Sequence, residues 1–216
     1  MSSIETFPGW FGVLDGLDGS GKTTQVNMAK EYAEAEKLDM LFTREPGGTA
    51  LGEKLRDIML HDRDHELTPE VEFGLLTTGR LDAIETLIKP ALQMGRGVIV
   101  DRGPISTDAY QGGGGGMNRK IIQSVHNLLY PEWYRVPNGS VLLSVEKETS
   151  RKRLLARSVL SGLDKMEEKD PAFFDRMYAV YKEHESNPNV TVIDGGQSPD
   201  DVFKQVRPIL FGPEHA

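Results

Sequence analysis

Short apolar segments alternate with longer amphipathic segments along most of the 216 residues. The apolar segments are rich in Val, Ile, Leu or Phe, are bounded by glycine or charged residues, and span 10–14, 40–43, 98–101, 141–145 and 190–193. Such short runs predict strands that are buried on both faces, as in a parallel sheet. The segments with helical spacing of apolar positions span 21–37, 69–94, 120–129, 147–158 and 171–185. This alternation predicts an α/β domain in which helices flank a five-stranded parallel sheet with right-handed crossovers.

The domain organisation follows from the length and the absence of repeats. A chain of 216 residues can bury one sizeable core, and neither a linker nor an internal repeat divides it. We therefore expect a single domain over residues 1–216 that begins with a short, loose N-terminal extension at 1–9. Five consecutive glycines at 112–116 favour a flexible surface loop because glycine backbones lose much entropy when ordered.

Composition excludes several classes of protein. The net charge of −8 argues against general nucleic-acid binding, although a local cluster of basic side chains can still bind a small anion. The absence of cysteine excludes disulfides and cysteine-based metal sites. The first ten residues lack the regions of a secretory signal, and no apolar run approaches the ~18 residues of a membrane span. We therefore expect a cytoplasmic protein that does not bind membranes.

A glycine-rich segment between the first predicted strand and the first predicted helix forms the phosphate cradle, residues 16–24. Its sequence GLDGSGKTT fits G-x-x-x-x-G-K-[ST] without a gap. Glycines let successive N–H groups converge on phosphate oxygens, and the helix N-terminus favours anions. We expect Lys22 to neutralise the β- and γ-phosphate oxygens and the Thr23 hydroxyl to bind Mg²⁺. The motif predicts a three-layer P-loop NTPase fold and an ATP site formed by Gly16, Leu17, Asp18, Gly19, Ser20, Gly21, Lys22, Thr23 and Thr24.

Charged residues follow the second and third predicted strands. Arg44 precedes a turn that contains Pro46, and Asp101 and Arg102 end the strand expected beside the first one. Open α/β sheets bind ligands at the carboxyl ends of their strands. An aspartate there can support a metal ion, and an arginine can clamp a phosphate group. The two strand ends therefore predict a second anion site that faces the phosphate cradle.

The residues around these strand ends resemble the thymidylate kinase family of nucleoside monophosphate kinases. The resemblance is carried by DGLDGSGKTTQ, FTREPGGTALGEKLRDIML and DRGPISTDAYQGG, and by ETLIKPAL at 85–92. The segment LDKMEEKDPAFFDRMYAVY is similar to the lid and following helix of that family. These segments occur in the family's order from about residue 10 to residue 210. R-E-P-G-G-T together with D-R-x-x-x-S-T-x-A-Y-Q is far more restrictive than the cradle motif.

The resemblance implies transfer of the ATP γ-phosphoryl group to dTMP, with Mg²⁺ as cofactor, by a homodimer with a small lid at about 150–166. Asp18 would approach the 3′-hydroxyl of the acceptor sugar. Arg44 and Arg102 would hold the acceptor monophosphate, with Pro46 beside them, and Asp101 would support the metal. Catalysis would rest on Lys22, Asp18, Arg102, and the lid arginines Arg153 and Arg157.

The resemblance also implies the contacts of the acceptor nucleoside. Arg80 would hydrogen-bond the pyrimidine edge, and Thr107 would contact the base. Tyr110 would pack under the sugar and exclude a 2′-hydroxyl, while Gln111 would lie beside the pocket. The glycine run after Gln111 then has a second interpretation, as a pliable hinge behind the base.

Several positions depart from the family pattern. Leu76 stands one turn before Arg80, where an aromatic ring is usual, so apolar contact replaces a stacking surface; Phe73 could supply the ring from the preceding turn. Gly103 replaces the residue that commonly follows Asp-Arg, and Lys165 stands in the lid where arginine is frequent.

These departures leave alternatives open. The acceptor could be a related deoxynucleotide, such as dUMP, a 5-modified dUMP or a purine deoxynucleotide. A kinase for a nucleoside or another small metabolite is less compatible with the Arg44 and Arg102 pair. A nucleotide-binding protein with degraded catalysis is also open, because similarity of fold does not by itself confer activity.

Overall fold

The computed structural model describes residues 5–62, 64, 66–161 and 164–213. Five parallel strands form one sheet in the order β2–β3–β1–β4–β5. The strands are β1 Phe11–Gly16, β2 Met40–Arg44, β3 Gly97–Asp101, β4 Gly139–Ser144 and β5 Thr191–Asp194. The predicted five-stranded parallel sheet is therefore confirmed, with β3 beside β1 as expected.

The helices account for most of the remaining described chain. They are α1 Lys22–Ala35, α2 Ala50–Leu60, α3 Pro69–Ala83, α4 Lys89–Gln93, α5 Pro104–Thr107, α6 Arg119–Leu129, α7 Glu132–Arg135, α8 Lys147–Ser161, α9 Pro171–His184 and α10 Pro199–Phe211. Two π-helical segments, Ile84–Ile88 and Asp108–Gly114, connect α3 to α4 and extend α5. No helix in the described ranges is both long and apolar enough to cross a membrane.

Both faces of the sheet are covered, which produces three layers. Alternate side chains of a strand point to opposite faces, so Ile99 packs with α1 and α10 whereas Val98 and Val100 pack with α3, α4 and α7. A third apolar cluster, which includes Tyr110 and Phe173, lies where α9 packs against the second π-helical segment. The site described below adjoins this third cluster.

The longer helices α2 and α10 and the four-residue helices α5 and α7 were not predicted from the pattern. In α2 the apolar positions have helical spacing, but Gly52 has a low helix propensity; the helix is started by Thr49, whose hydroxyl accepts a hydrogen bond from the Gly52 N–H. In α10, Pro199 and Pro208 obscure the signal, although Pro199 occupies a first-turn position that tolerates proline. The predicted helix over 69–94 is nearly continuous, but its π-helical segment lies just before Pro90, which cannot donate a backbone hydrogen bond.

The flexible-loop interpretation of the glycine run is wrong. Gly112 and Gly114 are buried in a π-helical segment that packs against α9. A Cβ atom at Gly114 would lie 2.5 Å from the Phe173 ring, and one at Gly113 would lie 2.6 Å from Val180. The glycines are needed because two helices approach closely here.

The described part of the N-terminal extension is docked rather than loose. The Phe7 ring packs edge-on against Trp133 with 5.2 Å between ring centroids, and the Gly9 N–H donates to the Leu92 carbonyl. The predicted lid, 150–166, covers most of α8 and the turn that begins at Asp164. Its movement stays a prediction, and residues 162 and 163 lie outside the described part.

Candidate active site

A cavity of about 640 Å³ lies beyond the carboxyl ends of β1, β2 and β3. Most of the predicted site residues line it: Asp18, Gly19, Gly21, Lys22, Thr23, Thr24, Arg44, Pro46, Leu76, Arg80, Asp101, Arg102, Thr107, Tyr110, Gln111, Arg153 and Arg157. Gly16, Leu17 and Ser20 do not line it, because they form the floor of the phosphate cradle. The three strand ends and the lid thus share one cavity.

The phosphate cradle is built from local contacts. The Lys22 ammonium donates to the carbonyl oxygens of Gly16 and Leu17, both at 2.8 Å. Gly19 has a φ of 76°, and a Cβ atom there would lie 2.5 Å from the Ser150 carbonyl oxygen on α8. Glycine is required at Gly19 because the loop is left-handed and α8 approaches it closely.

Burial makes the charge of Lys22 sensitive to pH. Burial, followed by the positive charge of Arg102, lowers the pKa of Lys22 from 10.5 to about 8. The negative charges of Asp18, Asp101 and Asp15 act in the opposite direction but are smaller effects. Lys22 is therefore mostly protonated near neutral pH and loses its charge in mildly alkaline solution.

Thr23 and Asp101 form the part of the cavity that fits a hard cation. Both line the cavity, and the Oδ1 atom of Asp101 is buried without a hydrogen-bond partner. Hydroxyl and carboxylate oxygens are suitable Mg²⁺ ligands, and this ion commonly takes its other ligands from water and substrate phosphates. The described residues contain no cluster of three His, Cys, Asp or Glu side chains that would hold a metal without such help.

Arg102 and Asp18 form an ion pair at the centre of the cavity. The Arg102 Nη2 atom lies 2.5 Å from Asp18 Oδ1, and the Tyr110 hydroxyl donates to Asp18 Oδ2. Burial alone would raise the pKa of Asp18, but the charges of Arg102 and Lys22 and the bond from Tyr110 hold it well below its usual range. Asp18 is therefore a carboxylate that can accept a hydrogen bond from a hydroxyl.

Arg80 is fixed by buried partners from three other elements. Its Nε and Nη2 atoms lie 2.7 and 2.6 Å from Glu45 Oε2, and Nη2 also donates to Thr107 Oγ1 at 2.9 Å. The Tyr134 hydroxyl donates to the other oxygen of Glu45, and the Tyr130 ring lies 5.2 Å from the guanidinium carbon. Burial opposes the charge of Arg80, yet Glu45 raises the pKa of Arg80 well above its ordinary value.

Arg44 differs from Arg80 because it is half-exposed. Its Nη2 atom lies 2.9 Å from Glu53 Oε2 on α2, and the two side chains are 53% and 47% exposed. A backbone hydrogen bond from Gly48, together with Arg44, lowers the pKa of Glu53. Arg56 lines the cavity nearby and donates to the Pro46 carbonyl at 3.0 Å.

Leu76 stands where the family pattern has an aromatic ring, and Phe73 does not supply a ring in its place. Leu76 lines the cavity, whereas Phe73 is not among the lining residues and its ring packs 5.8 Å from the His126 ring. The expectation that Phe73 supplies a stacking ring from the preceding turn is therefore wrong. Gln111 lines the cavity, and its amide donates to Glu72 at 3.0 Å.

The lid side contributes two arginines with different partners. Arg153 donates to the carbonyl oxygens of Gly19, at 3.3 Å, and Gly195, at 2.9 Å. Arg157 is ion-paired with Glu167, which also lines the cavity. Lys165 does not line the cavity, and its ammonium donates to the Asp62 carbonyl.

Several residues that complete the site were not predicted. Glu45 lies inside the quoted R-E-P-G-G-T segment, so its position was signalled although its role was not. Ser106 likewise lies inside the D-R-x-x-x-S-T segment and donates its hydroxyl to Asp15. Tyr181 is the last residue of the quoted LDKMEEKDPAFFDRMYAVY segment, but its role was not signalled, because only the packing of α9 brings its hydroxyl to Arg102.

Comparisons with known proteins agree with this geometry. Residues 14–206 match the family model described as thymidylate kinase. The chain is 35% identical over 200 residues to a thymidylate kinase of Legionella pneumophila (strain Paris), covering 92% of each chain. It is 34% identical to that of Idiomarina loihiensis, covering 92% of this chain and 95% of the relative. A crystal structure of thymidylate kinase from Ehrlichia chaffeensis superposes with a TM-score of 0.71 at 28% identity, covering 92% and 96% of the two chains.

Proposed function

The chain belongs to the thymidylate kinase family, and from this premise we propose that it transfers the γ-phosphoryl group of ATP to dTMP, which yields dTDP and ADP. The observation that carries the proposal is that one cavity is lined both by the phosphate cradle and by Arg44, Arg80 and Arg102. A triphosphate and a monophosphate can therefore meet in it. A nucleotide-binding protein without catalysis would not need these arginines.

On the donor side, the cradle binds the ATP phosphates. The cradle leads into α1, which begins at Lys22 with Gly21 as its N-cap, and the N–H groups of a helix N-terminus favour anions. The Lys22 ammonium, held by two carbonyls of the cradle, neutralises charge on the β- and γ-phosphates. Thr23 and Asp101 would hold Mg²⁺, which would neutralise charge on the phosphate oxygens.

On the acceptor side, Arg102 and Arg44 hold the monophosphate and Arg80 binds the base. Arg80 presents donors from a fixed position because Glu45 and Thr107 orient its guanidinium. A guanidinium donates only, so it binds a base edge that carries an acceptor such as the O4 atom of thymine. Asp18 accepts from the 3′-hydroxyl of the sugar, and Tyr110 packs against the position of C2′.

Catalysis rests on position and charge rather than on proton transfer. The acceptor phosphate is largely deprotonated near neutral pH, so no general base has to remove a proton before attack. Lys22, Arg102 and a lid arginine stabilise the charge on the equatorial oxygens of the transferred group. Arg153 is suited to this role because it bonds to the Gly19 carbonyl of the cradle. Closure of the lid excludes water, which would otherwise compete as acceptor.

The proposal extends to the assembly and the compartment. We propose a homodimer in the cytoplasm that requires no membrane or nucleic-acid partner. The exposed apolar side chains Leu51, Ile58 and Val71 lie on the mutually packed helices α2 and α3, and a second copy would cover them. Light scattering of the purified protein should give about twice the mass of one chain; the mass of a single chain would contradict the dimer.

A coupled ADP-release assay tests the proposed function. We expect ADP release to depend on dTMP and to be slower with dUMP, dCMP, dGMP and dAMP at equal concentration. Dependence on thymidine instead of dTMP would identify a nucleoside kinase. Nucleotide binding without acceptor-dependent release would contradict the kinase function. A clear preference for another deoxynucleotide would indicate that Leu76 has altered the base specificity.

A further inference from the structure

The hydroxyl of Tyr181 reaches the side of Arg102 that faces away from the cavity. It lies 3.3 Å from Arg102 Nη1, 2.9 Å from Ser106 Oγ and 3.1 Å from Asp15 Oδ1. Tyr181 is 3% exposed and Asp15 is fully buried, and neither lines the cavity. These two residues therefore cannot touch a ligand in the cavity, and any effect on the reaction must pass through a neighbour.

Asp15 accepts hydrogen bonds from both hydroxyls of this cluster and from the backbone beside it. Its Oδ1 atom accepts from the hydroxyls of Ser106, at 2.6 Å, and Tyr181, and its Oδ2 atom accepts from the N–H groups of Gly103 and Ser106, both at 3.1 Å. A carboxylate only accepts hydrogen bonds. A hydroxyl that bonds to Asp15 is therefore the donor. The Ser106 and Tyr181 hydroxyls also lie 2.9 Å apart, where either can donate to the other, and both oxygens keep a lone pair that accepts from Arg102 Nη1.

Arg102 consequently lies between two similar pairs of a tyrosine and an aspartate. The pair Tyr110 and Asp18 lines the cavity and contacts Nη2. The pair Tyr181 and Asp15 is buried: the Tyr181 hydroxyl accepts from Nη1, and Asp15 contacts that hydroxyl. The backbone of Arg102 has a φ of 76°, which is unusual for a residue with a side chain. Such a conformation persists where the surroundings hold it.

We propose that Tyr181 and Asp15 are positioning residues for Arg102. They anchor one nitrogen of its guanidinium from behind, so that the other nitrogen is presented to the acceptor phosphate. This inference rests on the proposed function, because it assumes that Arg102 holds that phosphate. Loss of the Tyr181 hydrogen bond would leave the guanidinium with fewer partners, chiefly Ser106 and Asp18. Its orientation would then be less fixed, which weakens both acceptor binding and transition-state contact.

The variant Tyr181→Phe tests the proposal, because it removes the hydroxyl and keeps the ring. We expect kcat/KM for dTMP to fall about tenfold, while KM for ATP changes less than twofold. Tyr178→Phe is the matched control: it lies on the same helix, its ring faces Lys182, and its hydroxyl is outside the Arg102 cluster. Thermal unfolding of both variants separates a loss of stability from a loss of positioning.

A double-mutant cycle with Arg102→Lys identifies the route of the effect. If Tyr181 acts through Arg102, adding Tyr181→Phe to Arg102→Lys should lower kcat/KM for dTMP by less than a further twofold. A full further tenfold loss would overturn the proposal, as would equal kinetic parameters for Tyr181→Phe and Tyr178→Phe. Calorimetric titration with dTMP should show the same pattern in binding. A wild-type protein without dTMP-dependent turnover would instead overturn the proposed function.

Discussion

The phosphate cradle and the arginines Arg80 and Arg102, which we propose to bind the donor and the acceptor, are constructed differently. Lys22 is held by carbonyls five and six residues away, so the cradle is a local structure. Arg80 is held by Glu45, Thr107 and Tyr130, which are 27 to 50 residues away, and Arg102 by partners up to 86 residues away. The position of the Lys22 ammonium thus depends on one loop, whereas Arg80 and Arg102 depend on the whole fold.

This difference predicts how each region responds to substitution. A change at Lys22 should affect chemistry without unfolding the protein, because its ammonium bonds to backbone atoms of the same loop. A change among the buried acceptor residues should affect stability and binding together, since each side chain is also part of the packing between elements. The following predictions test that separation.

The largest effect on turnover is expected for Lys22→Ala. Removal of the ammonium takes away charge stabilisation of the transferred phosphoryl group, so kcat should fall by about 10³-fold or more. Circular dichroism and the thermal midpoint should show a folded protein. Lys30→Ala, an exposed position on the same helix, is the control and should retain activity. Activity of Lys22→Ala within about tenfold of wild type would contradict the role of the cradle.

The largest effect on stability is expected for Arg80→Ala. The substitution leaves Glu45 buried without its guanidinium partner, which should lower the free energy of unfolding by about 3–5 kcal/mol. Arg44→Ala removes an exposed pair and should cost only about 0–1 kcal/mol, although KM for dTMP should rise. Urea denaturation measures both. Equal losses of stability would show that burial does not separate these two arginines.

A smaller effect is expected for Gly114→Ala, behind the acceptor side. The added methyl group would clash with Phe173, so the free energy of unfolding should fall by about 1–3 kcal/mol. Gly74→Ala on α3 is the matched control, because a Cβ atom there meets nothing within 4 Å. It should stabilise the protein by roughly 0.5–1 kcal/mol. Unfolding curves that rank the two variants in the opposite order would contradict the close packing of α9.

The smallest effect is expected for the pH dependence of kcat/KM for ATP, which we assign to the titration of Lys22 in the cradle. Because burial and Arg102 lower the pKa of Lys22 to about 8, its positive charge is present below that pH and is lost as the pH rises through it. We expect kcat/KM for ATP to approach a fall of about tenfold for each pH unit well above 8. At saturating ATP the decline in kcat should begin at higher pH, since bound phosphate favours the protonated amine. A flat profile of kcat/KM from pH 7.5 to 9.5 would contradict this interpretation.

The local pattern of the sequence was sufficient to predict the strands, most of the long helices and the cradle. Strand boundaries differ from the structure by one or two residues, as for β1, which was expected at 10–14 and spans Phe11–Gly16. Helices α2 and α10 were missed although their apolar positions have helical spacing, because Gly52 and Pro208 are unfavourable residues for a helix. Resemblance, rather than pattern, directed attention to Arg80, Thr107 and Tyr110, which all line the cavity.

What the sequence alone determined is therefore what neighbouring residues can specify: a buried strand, a glycine-rich turn and the helix that follows it. Only the tertiary structure decided which charges are paired and which residues must be small. Glu45 meets Arg80, and Tyr181 meets Arg102, because strand order and the packing of α9 bring them together. The glycines at 112–114 are needed because another helix occupies the space that side chains would fill. Such contacts join residues far apart in the chain, and no local pattern of polarity specifies them.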